Sequence, residues 1–252
     1  MNYFFHGVCV LCGRSLSGID EIKYSLCGEC RVSINPVQGD KCRVCGKPLI
    51  SEDDICVPCR KTEALSENNE AENDKQKNSF DRLWVLFPYT GNFRRLLSAY
   101  KFKKTLPLAG FFCAKIIDCI SENPVLRNAV IVPVPPRPGK IKHSGWDQVD
   151  YLVKRLKKLS RANLKSRGPE EPIQIVSVSR CLKRGKSKIQ KQLNRKDRIE
   201  NLKNRIYAGS RAPETALVID DVITTGSTME ICAKALKEAG ALNVYGLCLF
   251  YD

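Results

Sequence analysis

The clearest change of pattern along the chain is a short apolar run that ends in two carboxylates. Residues 216–219 are apolar and partly β-branched, which is typical of a buried parallel strand. Asp220 and Asp221 follow directly, and residues 224–228 then lead into a helix with apolar side chains at i, i+3, i+4 and i+7. The pattern predicts a strand–loop–helix unit. In open α/β sheets, ligands bind beyond the carboxyl ends of such strands.

Other apolar runs in residues 80–252 repeat the alternation of strand and helix. Such alternation is typical of an α/β fold, in which helices flank a mostly parallel sheet. We therefore predict one α/β domain over residues 80–252. The other predicted strands are 83–87, 129–134, 173–177 and 244–251, and the predicted helices include 106–120, a helix from Trp146, and 196–202.

The first 61 residues are organised by cysteines. Eight of the 13 cysteines form four C-x-x-C pairs. One pair can present two thiolates to an ion, and two pairs complete a tetrahedral Zn–S₄ site. Eight thiolates therefore suit two structural zinc ions, with one zinc and four spare thiols as the alternative, and the pairs can combine consecutively or interleaved. The predicted ligands are Cys9, Cys12, Cys27, Cys30, Cys42, Cys45, Cys56 and Cys59.

The sequence favours zinc over disulfide, redox or iron–sulfur roles, because no secretion signal is visible and no C-x-x-C pair follows a βαβ pattern. Residues 62–79 are polar and acidic, which predicts a flexible linker between a zinc module at 1–61 and the α/β domain. No apolar run reaches the length of a membrane span. We expect a cytoplasmic protein without membrane insertion.

Positive charge is concentrated in one internal segment. The net charge is +15, and residues 137–205 alone hold 21 basic and six acidic side chains. Such a segment favours polyanions, including pyrophosphate, nucleotides and nucleic acid. A solubilising surface is the alternative interpretation.

Two acids beside a loop that suits a phosphate point to a sugar phosphate. The loop offers a glycine, hydroxyl groups and the N–H groups of a helix N-terminus, all of which suit phosphate oxygens. Carboxylates accept hydrogen bonds from vicinal hydroxyls and can help to hold Mg²⁺. A plain strand–turn–helix with a capping Thr or Ser is the alternative. The candidate residues are Asp220, Asp221, Thr224, Thr225, Gly226, Ser227 and Thr228.

Two acids followed by T-T-G-x-T resemble the 5-phosphoribosyl 1-diphosphate (PRPP) motif of type I phosphoribosyltransferases. The full set of motifs is similar to the ComF-like family, amidophosphoribosyltransferase-like proteins linked to competence for DNA uptake, over essentially the whole chain. Besides the PRPP-type loop and the cysteine pairs, the resemblance rests on Tyr100-Lys101-Phe102, Pro133-Val134-Pro135, Gly145-Trp146-Asp147-Gln148, and Gln190-x-x-Leu193 followed by Arg198 and Asn201.

The resemblance implies a type I phosphoribosyltransferase-like fold and binding of PRPP with Mg²⁺. Asp220 and Asp221 would bind the ribose hydroxyls, directly or through Mg²⁺, and residues 224–228 would bind the 5-phosphate. Displacement at the anomeric carbon would need no protein nucleophile. The segment 184–198 would close over the site. The implied pyrophosphate and lid residues are Lys101, Arg137, Gly145, Gln148, Gln190 and Arg198.

The chain departs from the family at one of these motifs. The family usually shows Arg-Gly-aromatic-Asn-Gln, where residues 144–148 read Ser-Gly-Trp-Asp-Gln. Arg137, Lys140 and Lys142 would then supply the positive charge.

A second hypothesis is a non-catalytic protein that binds single-stranded DNA or senses nucleotides with the same fold, alongside other DNA-uptake proteins. Its support is the basic segment and the zinc module, although only Trp146 and Tyr151 within residues 137–205 offer aromatic rings for base stacking. The acceptor substrate, turnover itself and the oligomeric state stay open.

Overall fold

The computed structural model describes residues 7–36, 39, 41–42, 46–49, 54–57, 59–60, 79–166, 177–185 and 206–252, with the backbone alone for 161–166. Nearly all of the predicted linker, most of the predicted strand 173–177 and the predicted helix 196–202 lie outside these residues. So do three of the predicted site residues, Cys45, Gln190 and Arg198.

The described elements alternate between strands and helices after an α-helical start. None of the helices in this part of the chain combines the length and apolar composition that crossing a bilayer requires. The strands are β1 (Arg82–Pro88), β2 (Val130–Pro133), β3 (Leu182–Arg184), β4 (Ile206–Ala208), β5 (Thr215–Ile223) and β6 (Asn243–Tyr251). The helices are α1 (Ile19–Tyr24), α2 (Gly28–Ser33), α3 (Gly91–Lys101), α4 (Leu108–Glu122), α5 (Lys140–Ser144), α6 (Gln148–Ser166) and α7 (Ser227–Glu238), with a 3₁₀ turn at Pro124–Leu126.

Four strands form one parallel sheet in the order β1-β6-β5-β2. At the β2 edge, Ile131 also bridges Val178 in parallel, so the segment around Val178 extends the sheet. Strands β3 and β4 form a separate antiparallel pair. The predicted class, an α/β fold with a mostly parallel sheet flanked by helices, is confirmed.

Strand β5 is longer than the apolar pattern predicted. We expected it to end at Ile219, but it continues to Ile223. The extension is stabilised by the neighbouring strand, since Asp220 pairs with Cys248 and Val222 with Phe250 on β6. The two aspartates therefore lie on a rigid strand inside the sheet and not in the loop that follows it.

The sheet has apolar side chains on both faces, as a buried parallel sheet requires. Alternate residues of β1 separate into two cores: Trp84 and Leu86 join the core that includes helices α3, α4 and α6. Leu83 and Val85 join the opposite core, which includes helix α7 and residues of β3 and β4. Cys113 and Cys119 on α4 are buried thiols in the first core, and burial raises their pKa values to about 12 and about 11.

The N-terminal cysteine module packs directly on the α/β domain. Its buried residues Leu11, Leu16 and Leu26 belong to the same core as helix α4. A Cβ added at Gly110 of α4 would lie 3.2 Å from the ring of Tyr24, so the first part of the module and α4 are in close contact. The second part reaches β1, where a Cβ on Gly46 would lie 2.5 Å from the carbonyl oxygen of Leu83.

Candidate functional site

The loop after β5 forms an open cradle at the start of helix α7. Gly226 precedes the helix with φ of 77°, a left-handed conformation that favours glycine. Thr224, Thr225 and Ser227 are exposed, and the hydroxyls of Thr225 and Ser227 are 2.9 Å apart. The first amides of α7 lack intrahelical acceptors and carry the positive end of the helix dipole. This loop can therefore receive a phosphate group without removing a packed side chain.

Asp221 is the buried centre of a polar cluster below this loop. Its Oδ2 atom accepts a hydrogen bond of 2.7 Å from Nε2 of Gln148 and forms an ion pair of 2.9 Å with Nζ of Lys101. Its carboxylate is 8% exposed, whereas the Lys101 side chain is 32% exposed. Strand β5, the end of α3 and the start of α6 thus meet at one carboxylate oxygen.

A second ion pair completes the cluster. Nζ of Lys140 lies 2.6 Å from Oδ2 of Asp147 and also donates to Oε1 of Gln148. The other carboxylate oxygen of Asp147 accepts hydrogen bonds from the amides of Val149 and Asp150, so Asp147 caps helix α6. Here Asp147, at the position where the related motif has Asn, forms both a helix cap and an ion pair with Lys140.

Asp220 differs from its neighbour in exposure and in ionisation. It is half-buried, and one of its carboxylate oxygens accepts the amide of Asp221 at 2.8 Å. Burial and the adjacent charge of Asp221 raise the pKa of Asp220 well above its usual range. Strongly perturbed pKa values of this kind are found most often at functional sites.

The structure brings together four of the predicted site residues, namely Asp220, Asp221, Lys101 and Gln148. Arg137 is exposed on the loop after β2, and Gly145 ends helix α5 in a left-handed conformation with φ of 76°.

Two parts of the cluster were missed by the sequence. The pairing of Lys140 with Asp147 has no periodic signal, because Lys140 is the first residue of helix α5 and Asp147 lies beyond the end of that helix. The second is the hydroxyl of Tyr100, which donates to the backbone oxygen of Gln148 at 2.7 Å. Its neighbours Lys101 and Phe102 mark the motif, but nothing in the spacing predicted this contact.

The first two cysteine pairs converge on one point. The Sγ atoms of Cys9, Cys12, Cys27 and Cys30 all lie within 4.8 Å of one another. The Sγ atoms of Cys12 and Cys27 are 3.7 Å apart, close to the edge of about 3.8 Å expected for a tetrahedron with Zn–S bonds of about 2.3 Å. A hydrogen bond from the Arg14 side chain, together with the Cys30 amide, lowers the pKa of the Cys27 thiol to about 6. The geometry of the four Sγ atoms suits a Zn–S₄ site.

The third and fourth pairs form a second cluster of the same kind. Cys42, Cys56 and Cys59 group within the same distance of one another, while Cys45 lies outside the described residues. Both clusters use the same knuckle: the amide of Gly13 donates to the carbonyl of Cys9, and that of Gly46 to the carbonyl of Cys42. The pairs therefore combine consecutively, which excludes the interleaved arrangement left open by the sequence.

Fold and sites together define an α/β protein whose parallel sheet carries paired aspartates at a strand end and whose N-terminus is a double cysteine cluster. Residues 1–60 match the family model of the Double zinc ribbon domain. This match and the two clusters support structural zinc.

The curated relatives span almost the whole chain. It is 26% identical to Competence protein F of Haemophilus influenzae, with 98% of this chain and 99% of the relative covered. It is 22% identical to Competence protein ComFC of Streptococcus pneumoniae, covering 94% and 96%, and 23% identical to Competence protein ComFC of Bacillus subtilis, covering 85% and 79%. The resemblance stated from the motifs is confirmed: the chain is similar over most or nearly all of its length to proteins named competence protein F and ComFC, at 22–26% identity.

Proposed function

We propose that this chain is a phosphoribosyltransferase-type protein that binds PRPP with Mg²⁺ and acts in DNA uptake. The observation that carries the proposal is the Asp220–Asp221 pair at the carboxyl end of the central strand, followed by the exposed loop that opens α7. Carboxylates and a phosphate cradle in direct succession suit a ligand with vicinal hydroxyls beside a phosphate.

The phosphate part of the site is the loop of residues 224–228. Its hydroxyl side chains are short and exposed, and Gly226 allows the backbone to approach an anion closely. The dipole of α7 favours the negative charge of a 5-phosphate.

The two aspartates form the ribose part of the site, and each has a different role. Asp221 is fixed by Gln148 and Lys101, so it keeps the end of β5 in register with α3 and α6. Asp220 is more exposed, which makes it the better acceptor for ribose hydroxyls or for the shell of a magnesium ion. Asp220 and Asp221 would hold Mg²⁺, which when bound supplies charge neutralisation for a pyrophosphate leaving group.

The pyrophosphate part of the site depends on Lys101, with support from Lys140 and the exposed Arg137. Both lysines already face carboxylates, at 2.9 Å and 2.6 Å. A pyrophosphate at this position would compete with Asp221 for Lys101. Displacement at the anomeric carbon is the reaction that such a site would support, through electrostatic stabilisation of the leaving group.

Titration calorimetry with PRPP in the presence and absence of Mg²⁺ tests the binding proposal. We expect Mg²⁺-dependent binding to the unmodified protein and a loss of about tenfold or more in Asp220→Asn, because an amide cannot ionise to hold Mg²⁺ as the carboxyl group of Asp220 can when the ion binds. Asp118→Asn is the matched control, since Asp118 is exposed on α4 and pairs only with Lys115 among the described residues. No binding of PRPP at millimolar concentration would remove the proposal.

The role in DNA uptake is supported by the names of the relatives, which are competence proteins. Transformation frequency in a strain lacking the gene, complemented with the unmodified gene or with Asp220→Asn, tests it. We expect full rescue by the first and a reduced frequency with the second. Equal frequencies with and without the gene would contradict the role.

A second candidate function, non-catalytic binding of single-stranded DNA, is favoured by the basic segment 137–205. In the described part of that segment, Lys142, Lys154 and Lys158 are exposed. Binding through such lysines would weaken steeply with added salt, because it releases counterions. A titration of labelled single-stranded DNA across a salt series tests it, and weak binding that does not change with salt would exclude it.

A further inference from the structure

A cavity of about 290 Å³ lies between the first zinc ribbon and helix α3. Its wall includes Val10, between the first pair of cysteines, and residues of α3 from Gly91 onward. None of its lining residues belongs to the polar cluster around Asp221. The cavity is therefore a separate feature, and it exists because the ribbon packs on the domain.

Three cations line this cavity, and no acid does. They are Arg94, Arg95 and Lys103. In the described part of the chain none of the three makes an ion pair, in contrast to Lys101 on the same helix. The guanidinium of Arg94 lies 5.7 Å from the ring centroid of Tyr89, which supports it from one side. The cavity thus collects positive charge that the described residues leave uncompensated.

The remaining polar groups of the cavity also favour an anion. Ser98 contributes a hydroxyl one turn after Arg94 and Arg95, on the same side of the helix. Gly91 opens α3, and the hydroxyl of Thr90 does not cap the helix. The amides of Phe93 and Arg94 already donate to the carbonyl of Thr90. The donors that α3 offers to a phosphate oxygen are therefore the amides before them, at Gly91 and Asn92.

We propose that this cavity binds a phosphate group, held by Arg94, Arg95 and Lys103 against the wall that the first ribbon supplies. Arginine suits this task because its planar guanidinium can donate two parallel hydrogen bonds to a phosphate. The proposal is independent of PRPP binding at Asp220 and Asp221, and it gives the ribbon a direct part in ligand binding.

The volume limits the ligand. Small-molecule sites are typically about 300–1,000 Å³, so the cavity suits a small phosphate ester or one unit of a strand, not an enclosed large cofactor. Phe102 precedes Lys103 and is 71% exposed, which offers a ring to a base next to the cationic wall. The phosphate could belong to a free small molecule or to a nucleic-acid backbone.

Amide chemical shifts in a titration with inorganic phosphate, against chloride at equal ionic strength, test the site in the full-length zinc-loaded protein. The Gly91 amide reports on the cavity, and the Gly226 amide reports on the loop before α7. We expect the Gly91 signal to move and to saturate. A shift that never saturates, or that chloride reproduces, would overturn the proposal.

The variant Arg94→Gln/Arg95→Gln should weaken the saturating Gly91 response by about tenfold or more. The matched control is Arg211→Gln/Lys234→Gln, two exposed positions that do not line the cavity, which removes the same charge elsewhere and should change the response by less than about twofold. Equal weakening by both variants would mean a nonspecific charge effect and would overturn the site. If the arginine variant is unfolded by circular dichroism, Lys103→Gln takes its place with the same expectation.

A short single-stranded oligothymidylate distinguishes the two sources of phosphate. If the oligonucleotide saturates the Gly91 signal at a lower phosphate concentration than inorganic phosphate does, and the arginine variant loses this saturation, the cavity binds a nucleic-acid strand. A weaker or equal response assigns it to a small phosphorylated molecule. Either result supports the cavity as a phosphate site, and failure of both ligands to saturate the signal rejects it.

Discussion

The two ends of helix α3 differ in the environment of their cationic side chains. At its carboxyl end, Lys101 reaches into the buried cluster and contacts Asp221 at 2.9 Å. In its first turns, Arg94 and Arg95 are exposed and line the cavity beside the zinc ribbon. A cation in an ion pair with a buried carboxylate stabilises the fold, whereas a cation without such an ion pair is available to bind an anionic ligand. One helix therefore carries an internal contact and a candidate binding surface.

The difference also bears on the proposed PRPP site. Its lysines are neutralised by aspartates in this state, so a pyrophosphate must compete for them. The arginines at the cavity face no such competition among the described residues. We therefore expect the first ribbon and α3 to respond to simple anions, and the β5 site to respond to a ligand that also satisfies its carboxylates.

Removing zinc should produce the largest effect. Zinc ribbons take most of their folding free energy from the metal, about 10–16 kcal/mol in zinc-finger peptides. We expect a chelator to abolish hydrogen-exchange protection over residues 7–36 and at the α4 contact between Tyr24 and Gly110. Protection of β5 and β6, buried in the sheet, should survive.

Metal analysis accompanies this measurement, with about two zinc ions per chain expected from two four-cysteine sites. The Gly91 response to phosphate should disappear with the ribbon, because Val10 supplies one wall of the cavity. Well under one zinc per chain, or unchanged protection after chelation, would contradict the assignment.

The variant Lys101→Met should have the next largest effect. It leaves the carboxylate of Asp221, which is 8% exposed, without its cation, although Gln148 still donates to it. Breaking such a pair costs about 3 kcal/mol of the free energy of unfolding. Arg95→Met, on the exposed side of the same helix, is the matched control and should change stability by less than about 0.5 kcal/mol.

Urea denaturation of the two variants gives the comparison directly, since both change a cation to the same apolar side chain. Equal losses would mean that Lys101 contributes no more than a surface charge. The double variant Lys101→Met/Asp221→Asn should regain part of the loss, because the uncompensated carboxylate is then absent.

The sequence predicted the sheet well because its strands are buried on both faces. A run such as residues 83–87 is continuously apolar, and turn residues mark its ends. The predicted end of β5 at Ile219 was wrong, because Asp220 and Asp221 interrupt the apolar run while the backbone of the strand continues to pair with β6. Strand pairing with a partner 28 residues away has no local signal. A prediction from the apolar pattern alone therefore ends the strand at the first polar residue.

In the candidate site too, the sequence predicted the features that depend on local spacing and missed the contacts between distant elements. Short spacing identified the aspartates, the loop before α7 and the cysteine pairs, because their chemistry depends on residues close in sequence. The contacts of Lys101 and Gln148 with Asp221 come from three different elements, and a motif match suggested the residues without the contacts. The consecutive combination of cysteine pairs likewise needed three-dimensional distances. The cavity between ribbon and helix depends on how two modules pack, which no pattern within either module encodes.

Asp220 gives the smallest predicted effect, a slope of stability against pH. Burial and the charge of Asp221 raise its pKa above the value of about 3.9 typical of an unfolded chain. Between these two values the folded state holds a proton that the unfolded state has released. Without Mg²⁺, the free energy of unfolding should therefore fall as pH rises through this window, by at most about 1.4 kcal/mol per pH unit from this group.

Asp220→Asn cannot release this proton, so its stability relative to the unmodified protein should increase from about pH 4 upward. Denaturation at several pH values measures the difference between the two proteins, which cancels the titration of groups they share. Asp150→Asn is the opposite case: hydrogen bonds from Lys154 and Arg180 outweigh burial and lower the pKa of Asp150, so its ionised form stabilises the fold. The loss caused by Asp150→Asn should then be largest above about pH 4 and should shrink as acid protonates Asp150. A pH-independent difference for Asp220→Asn would mean that Asp220 is ionised in the folded protein, as ordinary surface carboxylates are.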